Sequence, residues 1–379
     1  MSAFTTQEAD IHHMRHALSL AMRHTGQTHP NPAVGCVIVS DHLIVGRGYT
    51  GKGGRPHAET QALEQAGPRA KGATAYITLE PCAHQGNTPP CTQALINAGI
   101  TRAVIAVTDP DPRVCGKGIE QLKDAGIDVL LHVLREEAIH INKGFFIRTL
   151  KHRPRITLKC ASSLDGKVAT INGQSQWITS ADARYASHLL RREADAIMVG
   201  VNTLIRDNPQ LTCRLRGMES RSPLRIIVDS HLKTPASAYA IQTSDQYPTI
   251  LAHVEGATSP SLAAFTELNY ISTRPTASLQ VDLPSLLETL ANERGINHLL
   301  VEGGPLVASS FLKLGLVDDI IWFHGPLIMG NDGLPSVTDL GLPSLNDTHH
   351  WRLINQTRFG NDTMCRYANI YMDSLFSSL

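Results

Sequence analysis

The first 150 residues alternate between helical and strand-like patterns of apolar positions. Apolar residues recur at helical spacing over Glu8–His24, and the runs Ala33–Val39 and Leu43–Tyr49 around Ser40–Asp41 predict a hairpin. The elements predicted next are helix His57–Ala66, strand Thr74–Leu79, helix Pro90–Ala98, strand Ala103–Thr108, helix Ile119–Ala125, strand Ile127–Val133 and helix Glu136–Phe146. Strands separated by such helices indicate an α/β domain with its sheet covered on both faces.

A second α/β pattern begins after a basic, polar stretch that ends in proline. Arg148–Pro154 reads RTLKHRP, and we place a boundary near residue 150, with domains at 1–150 and 151–379. The predicted elements are strands Arg155–Ala161, Ala196–Val201, Leu224–Val228, His298–Val301, Asp319–Phe323 and Met364–Tyr371, and helices Ala181–Glu193 and Pro305–Leu314. Residues 255–290 have weak periodicity and predict no clear element.

Composition favours a small-molecule enzyme over a nucleic-acid-binding or membrane protein. Thirty-four basic residues balance thirty-four acidic ones, whereas polynucleotide-binding proteins usually carry a basic excess. No run of about 18 apolar residues predicts a membrane span. The N-terminus lacks the features of a secretory signal, and seven irregularly spaced cysteines do not indicate a disulfide framework. We therefore expect a cytoplasmic protein without nucleic-acid or membrane partners.

The chemistry of the first domain is indicated by His57-Ala58-Glu59 and by Pro81-Cys82, with Cys91 nine positions further on. A catalytic zinc takes three nitrogen or sulfur ligands and leaves one position for water, and His57, Cys82 and Cys91 supply that set. Both segments follow loops and open predicted helices, whose N-termini favour thiolates at Cys82 and Cys91.

Glu59 lies two residues beyond His57, at a different angle on the same helical turn. It is placed to move protons for a zinc-bound water whose pKa falls to about 7. H-x-E followed by P-C is typical of zinc deaminases, although eight residues rather than two separate the cysteines here. Two alternatives stay open: a structural zinc site with His84 as fourth ligand, and a zinc-stapled scaffold in which Glu59 has no role.

Pro81–Cys91 reads PCAHQGNTPPC and closely resembles the bifunctional deaminase–reductases of riboflavin biosynthesis. Other motifs of that family follow in order along most of the chain. They are Asn31–Gly35 (NPAVG), His57–Glu59 (HAE), Thr108–Pro110 (TDP), Gly116–Gly118 (GKG), Lys159–Lys167 (KCASSLDGK), Gly200–Thr203 (GVNT), Asp207–Pro209 (DNP) and Val301–Gly304 (VEGG).

The resemblance implies a cytidine-deaminase-like three-layer domain, a dihydrofolate-reductase-like α/β domain after it, and a homo-oligomer. The first domain would use Zn²⁺ to remove the 2-amino group of 2,5-diamino-6-ribosylamino-4(3H)-pyrimidinone 5′-phosphate. The second would use NADPH to reduce the ribosyl group of 5-amino-6-(5-phosphoribosylamino)uracil to ribityl. Asn31 and Asp109 would contact the pyrimidine, and Asp111 stands where the family usually has Asn.

In the second domain, Gly303-Gly304-Pro305 follows a predicted strand and opens a helix, where backbone N–H groups can receive a diphosphate. No G-x-G-x-x-G motif supports a standard dinucleotide-binding fold. The resemblance implies that Lys159, Asp207 and Glu302 are catalytic. It also implies substrate contacts at Ser175, Arg191, Leu211, Arg214 and Glu302, and cofactor contacts at Ala161, Trp177, Thr203, Asp207, Ser230, Gly303, Gly304 and Pro305.

Simpler interpretations stay open for several of these residues. Trp177 suits a core aromatic, Arg191 beside Arg192 suits a solvated helix face, and Lys159 with Glu302 suits a salt bridge between two strand ends. For the whole chain, the alternative is a nucleoside or tRNA-base deaminase with a C-terminal binding module. That alternative predicts a basic face and no NADPH oxidation, and the balanced charge counts against it.

Overall fold

A computed structural model of the chain describes residues 5–85 and 89–377. Gly86, Asn87 and Thr88 of the PCAHQGNTPPC motif lie outside the described residues. Contacts divide the chain into two compact units, one running to His152 and the other spanning Arg153–Leu375. Phe376 belongs to the first unit, where its ring centroid lies 6.2 Å from that of Phe146.

The first unit contains one five-stranded sheet with strand order β2-β1-β3-β4-β5. Its strands are β1 (Gly35–Ser40), β2 (Leu43–Tyr49), β3 (Thr74–Ile77), β4 (Arg102–Ile105) and β5 (Asp128–Leu131). Its helices are α1 (Thr6–Ala21), α2 (Ala58–Ala66), α3 (Cys91–Asn97), α4 (Lys117–Asp124) and α5 (Arg135–Lys151). The hairpin β1–β2 is antiparallel, as predicted, and β3, β4 and β5 run parallel to one another.

Helix α2 packs unusually close to β2 because of a glycine. A Cβ atom at Gly48 would lie 1.9 Å from the carbonyl oxygen of Ala58, so any larger residue would displace the helix. The helix directly follows His57 and carries Glu59 in its first turn. Gly48 therefore sets the distance of His57 and Glu59 from the sheet.

The second unit is built on a nine-stranded sheet with order β11-β10-β9-β8-β12-β6-β13-β16-β15, and a two-stranded sheet β14-β7. The strands are β6 (Arg155–Ser162), β7 (Lys167–Ala169), β8 (Ala196–Gly200), β9 (Leu224–Val228), β10 (Thr249–Val254), β11 (Leu268–Thr273), β12 (His298–Val301), β13 (Asp319–His324), β14 (Leu334–Pro335), β15 (Trp351–Phe359) and β16 (Asp362–Asn369). The helices are α6 (Ala181–Glu193), α7 (Val201–Asp207), α8 (Tyr239–Gln242), α9 (Leu283–Asn292) and α10 (Pro305–Lys313). The sheet has a parallel part and an antiparallel edge. The parallel strands are β11, β10, β9, β8, β12, β6 and β13. Strand β16 runs antiparallel to β13, and β15 runs antiparallel to β16.

A single buried arginine anchors an irregular segment of this unit. Arg225 on β9 is fully buried, and burial lowers the pKa of its guanidinium to about 10. Its donors reach only neutral oxygens within the described chain: the carbonyls of Tyr247 (2.7 Å), Ala240 (2.8 Å), Thr243 (3.1 Å) and Gln210 (3.4 Å), and the hydroxyls of Thr249 (2.9 Å) and Thr243 (3.0 Å). One side chain thus fixes the backbone between α8 and β10.

The region of weak periodicity holds regular structure that the sequence did not reveal. Strand β11 lies there and helix α9 begins there, and neither was predicted. Edge strand β15 was also missed, because most of its side chains are exposed and it shows no alternation of apolar and polar residues. Among the helices of the described residues, none is long and apolar enough to cross a membrane.

Candidate zinc and nucleotide sites

Three loop and helix-end residues of the first unit bring a nitrogen and two sulfurs together. His57 precedes α2 as its N-cap residue, and Cys91 is the first residue of α3. Cys82 lies in the irregular segment between β3 and α3, so the prediction that it opens a helix was wrong. Thr92 holds that segment in place, since its N–H and its hydroxyl both lie 3.3 Å from the Cys82 carbonyl oxygen, which accepts from them.

The ligand atoms of this cluster fit a zinc ion. Nδ1 of His57 lies 3.2 Å from Sγ of Cys91 and 3.9 Å from Sγ of Cys82, and all three atoms lie within 4.8 Å of one another. Tetrahedral zinc with usual bond lengths places its nitrogen and sulfur ligands about 3.6 Å apart. His84 is not part of the cluster among the described residues, which leaves a three-ligand set of the catalytic kind.

The Cys82 sulfur has the electronic state that zinc requires, whereas the bond to Cys82, together with burial, raises the pKa of the Cys91 thiol. A hydrogen bond from the Cys91 thiol, with further support from His57, outweighs burial and lowers the pKa of Cys82 to about 4. The backbone N–H of Cys91 also donates to Cys82 Sγ at 3.4 Å. Cys82 is therefore a thiolate at neutral pH, stabilised by these neighbours, including the first N–H of α3, although Cys82 itself opens no helix.

Glu59 sits beside the ligands without being one of them. Glu59 is 4% exposed. Burial is the main cause that raises the pKa of its carboxyl, and the charge of Cys82 is the second. Its carboxyl also interacts with Cys91. A buried carboxyl with a raised pKa next to a metal is suited to accept and return a proton.

Removing one ligand tests the zinc cluster directly. We expect Cys91→Ala to retain less than about one-tenth of the wild-type zinc after dialysis, because two ligands hold the ion far more weakly than three. Zinc content by elemental analysis measures this. Cys115→Ala removes an exposed cysteine and should keep full zinc. A fully metallated Cys91→Ala protein would exclude Cys91 as a ligand.

Asn31 and Asp109, predicted to contact the pyrimidine, are each anchored by backbone groups. The Asn31 amide donates to the carbonyl of Gly54 at 3.0 Å, three residues before His57. Asp109 is buried, which raises the pKa of its carboxyl to about 7, and its Oδ1 accepts from the N–H of Asp111 at 2.8 Å.

Asp111 pairs with Arg113 at 2.5 Å, an interaction that lowers the pKa of this carboxyl. The negative charge introduced where the family usually has Asn is thus neutralised within the same loop.

A residue that the sequence did not suggest orders this loop. Glu80 is buried, and its carboxylate accepts from four backbone N–H groups: Gly118 (2.9 Å), Gly116 (3.0 Å), Asp109 (3.2 Å) and Ile119 (3.2 Å). These bonds join the start of α4 to the residues after β4. The only sequence signal was an acidic residue immediately before Pro81-Cys82.

A cavity of about 710 Å³ opens in the second unit beside the carboxyl ends of β6, β8, β9 and β12. It gathers most of the residues predicted for the reductase. They are Lys159, Ala161, Ser175, Thr203, Asp207, Ser230, Glu302, Gly303, Gly304 and Pro305. Trp177, Arg191, Leu211 and Arg214 were predicted with them but do not line the cavity.

Lys159 does not end its strand, contrary to the prediction. Strand β6 continues to Ser162 because it stays paired with β13 to His324, whereas its ladder with β12 stops at Leu158 and Val301. On the β12 side, Lys159 is thus the first residue beyond the ladder. This places its Nζ 3.8 Å from Oε2 of Glu302.

Glu302 lies at the centre of a charge network. Arg191 pairs with both of its oxygens, at 2.8 and 3.0 Å, and also donates to the carbonyl of Thr212 at 3.1 Å. Burial would raise the pKa of Glu302, but Arg191 and Lys159 outweigh it and hold the pKa at about 2. Arg191 is therefore not part of a solvated face.

The remaining predicted residues differ in exposure. Trp177 is 65% exposed, with the Arg184 guanidinium 4.0 Å from its ring centroid, so it is not a core aromatic. Leu211 is 1% exposed, and its side chain packs in the core. Arg214 is exposed, and its backbone N–H donates to His188 Nδ1 at 3.3 Å.

The turn before α10 requires glycine. A Cβ atom at Gly303 would lie 2.7 Å from the Val307 side chain. The N–H of Gly304 donates to the Thr203 hydroxyl at 3.1 Å, which ties the start of α10 to α7. The helix N-terminus is thereby presented to the cavity.

Comparison with known proteins assigns both units. Residues 7–107 match the cytidine and deoxycytidylate deaminase zinc-binding region, and residues 154–365 match the RibD C-terminal domain. The riboflavin biosynthesis protein RibD of Aquifex aeolicus is 47% identical over 94% of this chain and 97% of its own length. The Escherichia coli RibD is 40% identical over 93% and 96%. This chain belongs to the RibD family.

Solved structures of RibD proteins share the fold. An Acinetobacter baumannii RibD structure is 35% identical with a TM-score of 0.87, covering 96% of this chain and 99% of that chain. A Thermotoga maritima structure, named as a diaminohydroxyphosphoribosylaminopyrimidine deaminase/5-amino-6-(5-phosphoribosylamino)uracil reductase, is 33% identical with a TM-score of 0.83 over 96% and 100%.

These matches confirm the predicted fold class, a deaminase-like α/β domain followed by a reductase domain. As a RibD protein, the chain is a bifunctional deaminase and reductase of riboflavin biosynthesis, not a deaminase with a binding module. Its two domains imply zinc and a nucleotide cofactor, and its substrates are small pyrimidines.

The low pKa of Glu302 predicts how acid affects this RibD protein. A carboxylate with a lowered pKa stabilises the fold above its ordinary pKa near 4.5, and that contribution is lost as pH falls toward about 2. We therefore expect the stability advantage of wild type over Glu302→Gln to shrink from about pH 6 to about pH 3. Urea unfolding followed by tryptophan fluorescence measures it, since all three tryptophans lie in the second unit. A pH-independent difference would contradict the assigned pairing.

Proposed function

We propose that the first unit, ending near residue 150, converts 2,5-diamino-6-ribosylamino-4(3H)-pyrimidinone 5′-phosphate to its 5-amino-uracil counterpart with release of ammonia. The second unit then reduces the ribosyl group of 5-amino-6-(5-phosphoribosylamino)uracil to ribityl with NADPH. The observation that carries the first activity is the convergence of His57, Cys82 and Cys91 with Glu59 buried beside them. The name of the Thermotoga maritima structure supports both substrates.

In the deaminase site, His57, Cys82 and Cys91 would hold Zn²⁺. When bound, zinc supplies the positive charge that makes water nucleophilic at neutral pH. Glu59 takes one proton from the attacking water and delivers it to the ring nitrogen. It then takes the second proton from the hydroxyl now bonded to the ring carbon and delivers it to the amine, which leaves as ammonia as the carbonyl forms. Asn31 and Asp109 hold the pyrimidine edge, and their bonds to the Gly54 carbonyl and the Asp111 N–H keep both side chains in place before the substrate enters.

In the reductase cavity, the N-terminus of α10 at Gly303-Gly304-Pro305 would receive the cofactor diphosphate. Ala161, Thr203, Asp207 and Ser230 line the same cavity. NADPH supplies the hydride when bound. Trp177, which the resemblance also assigned to the cofactor, would have to reach it from outside the cavity lining.

Lys159 and Glu302 would act at the ribose. Lys159 donates a proton to the ring oxygen as the C1′–O4′ bond breaks and the nitrogen on C1′ forms a C1′=N bond. The hydride then adds to C1′ and returns that electron pair to the nitrogen. Glu302 holds the Lys159 ammonium and the substrate hydroxyls.

Ser175, Arg191, Leu211 and Arg214 remain proposed substrate contacts. Arg191, which Glu302 and the Thr212 carbonyl hold in place, would act through Glu302, and the buried Leu211 through its main chain.

The discriminating experiment supplies the diaminopyrimidinone phosphate with NADPH and follows ammonia release and NADPH absorbance separately. Ammonia release followed by NADPH oxidation is expected. Ammonia release with no oxidation of NADPH, even with the deaminated intermediate supplied, would overturn the reductase assignment.

We also propose a cytoplasmic location, which suits thiolates reserved for a metal, and a homo-oligomer, as the family resemblance suggests.

A further inference from the structure

Three basic side chains that follow β8 and β9 line the reductase cavity, and the proposed chemistry does not use them. Arg206, His231 and Lys233 line the cavity, and all three are exposed. Within the described part of the chain, no ion pair or hydrogen bond engages the side chains of His231 and Lys233. Arg206 acts electrostatically on the neighbouring Asp207. We call these three residues the basic rim.

The turn after β9 directs two members of the rim outward. Oδ2 of Asp229 accepts from the N–H and the hydroxyl of Thr234, at 2.6 and 2.7 Å, and closes the turn. Ser230 and Leu232 are buried, while His231 and Lys233 between and beyond them are exposed. The basic side chains are thus presented by a fixed backbone.

Helix α7 supplies the third member. Thr203 binds the N–H of Gly304, and Arg206 lies three residues further along the same helix. Residues three apart share a helix face, so Arg206 is displaced by about 4.5 Å along the axis from the contact at Gly304.

The strand order places Lys159 and the basic rim on opposite sides of β12. Lys159 and Ala161 lie on β6, on one side of β12, whereas the rim follows β8 and β9 on its other side. Adjacent strands are about 4.8 Å apart, so the turn after β9 lies about 10 Å from the diphosphate position after β12. A cofactor with its diphosphate at α10 and its nicotinamide at Lys159 therefore extends its adenosine toward the rim.

We infer that Arg206, His231 and Lys233 form the site for the 2′-phosphate of NADPH and set its preference over NADH. This rests on the proposed reductase function. Two permanent cations and an imidazole match a phosphate dianion, and flexible exposed side chains can close on it. Two carboxylates neighbour the basic rim in the chain. Asp207 is exposed, whereas Asp229 is buried and its Oδ2 accepts from Thr234.

The test compares NADPH with NADH, which differ only in this phosphate, on the full-length enzyme with the uracil substrate. Lys233→Ala and Arg206→Ala should each raise the KM for NADPH at least about tenfold, the order expected for one charge-assisted hydrogen bond. The KM for NADH and the kcat with either cofactor should change less than about twofold. Competitive inhibition by 2′,5′-ADP should weaken in parallel, and inhibition by 5′-AMP should not.

Lys313→Ala is the matched control, because it removes an exposed lysine outside the cavity, and it should alter neither KM. Retained NADH turnover shows that each variant is folded, and Lys233→Gln provides a milder substitution if Ala is not tolerated. Equal changes for the two cofactors, or none, would overturn the inference while leaving the reductase function intact. Equal use of both cofactors by wild type would overturn the inference and the NADPH assignment together.

Discussion

Glu59→Gln is expected to lower deamination by about 10²–10⁴-fold while zinc content stays at the wild-type level. Glutamine keeps the shape of the buried side chain, but it cannot take a proton from water and return it to the substrate. The three metal ligands do not include Glu59, so the ion should remain. Ammonia release and elemental analysis measure the two quantities on the same sample.

Two comparisons make this result specific. Glu64→Gln changes an exposed glutamate on the same helix α2 and should leave deamination unchanged. Glu59→Gln should still reduce the deaminated uracil compound, because Lys159 and Glu302 belong to the other unit. A loss of deamination smaller than about tenfold would remove Glu59 as the proton carrier.

Lys159→Ala is expected to reduce substrate-dependent NADPH oxidation by at least about a hundredfold, the contribution of a general acid. Stability should change little. Glu302 keeps its two short bonds to Arg191, so its charge stays paired when the more distant Lys159 is removed. We expect the free energy of unfolding to fall by about 1 kcal/mol.

The opposing hypothesis is that Lys159 and Glu302 form only a structural ion pair. It predicts a small stability loss with near wild-type turnover, so a rate within about tenfold of wild type would contradict the catalytic role. Cofactor binding by the variant, followed by fluorescence titration, should be unchanged. Lys313→Ala again controls for the loss of a lysine.

The sequence grouped three residues that the structure brings together, because they stand at chain positions with a local signature. His57 and Cys91 lie at helix starts that patterning located to within a residue or two. Cys82 was grouped with His57 and Cys91, but it was expected to open a helix and lies instead in an irregular segment. Its thiolate depends on Cys91 and His57. The structural neighbours of a thiol come from the folded chain and cannot be derived from spacing.

Other features depend on contacts between distant segments, which hydrophobic periodicity does not encode. Glu80 accepts from N–H groups up to 39 positions away in the chain. Lys159 lies beside Glu302 because the pairing of β6 with β12 ends before its pairing with β13. Helix α9 was missed although it has a clear apolar face, because the surrounding Ser, Thr and Pro residues masked its period.

Arg225 has a consequence for how this protein tolerates sequence change. Four of its six hydrogen bonds end on main-chain carbonyls, which every amino acid possesses. The exposed positions of this segment, Gln242, Asp245 and Gln246, can therefore accept many side chains while the segment is held in the same path. Position 225 has no such freedom, because lysine offers three donors from a single nitrogen and cannot span the same oxygens. Sequence variation is thus tolerated at the exposed positions of the segment but not at the one arginine that binds its backbone, nor at the core residues Ala240 and Ile241.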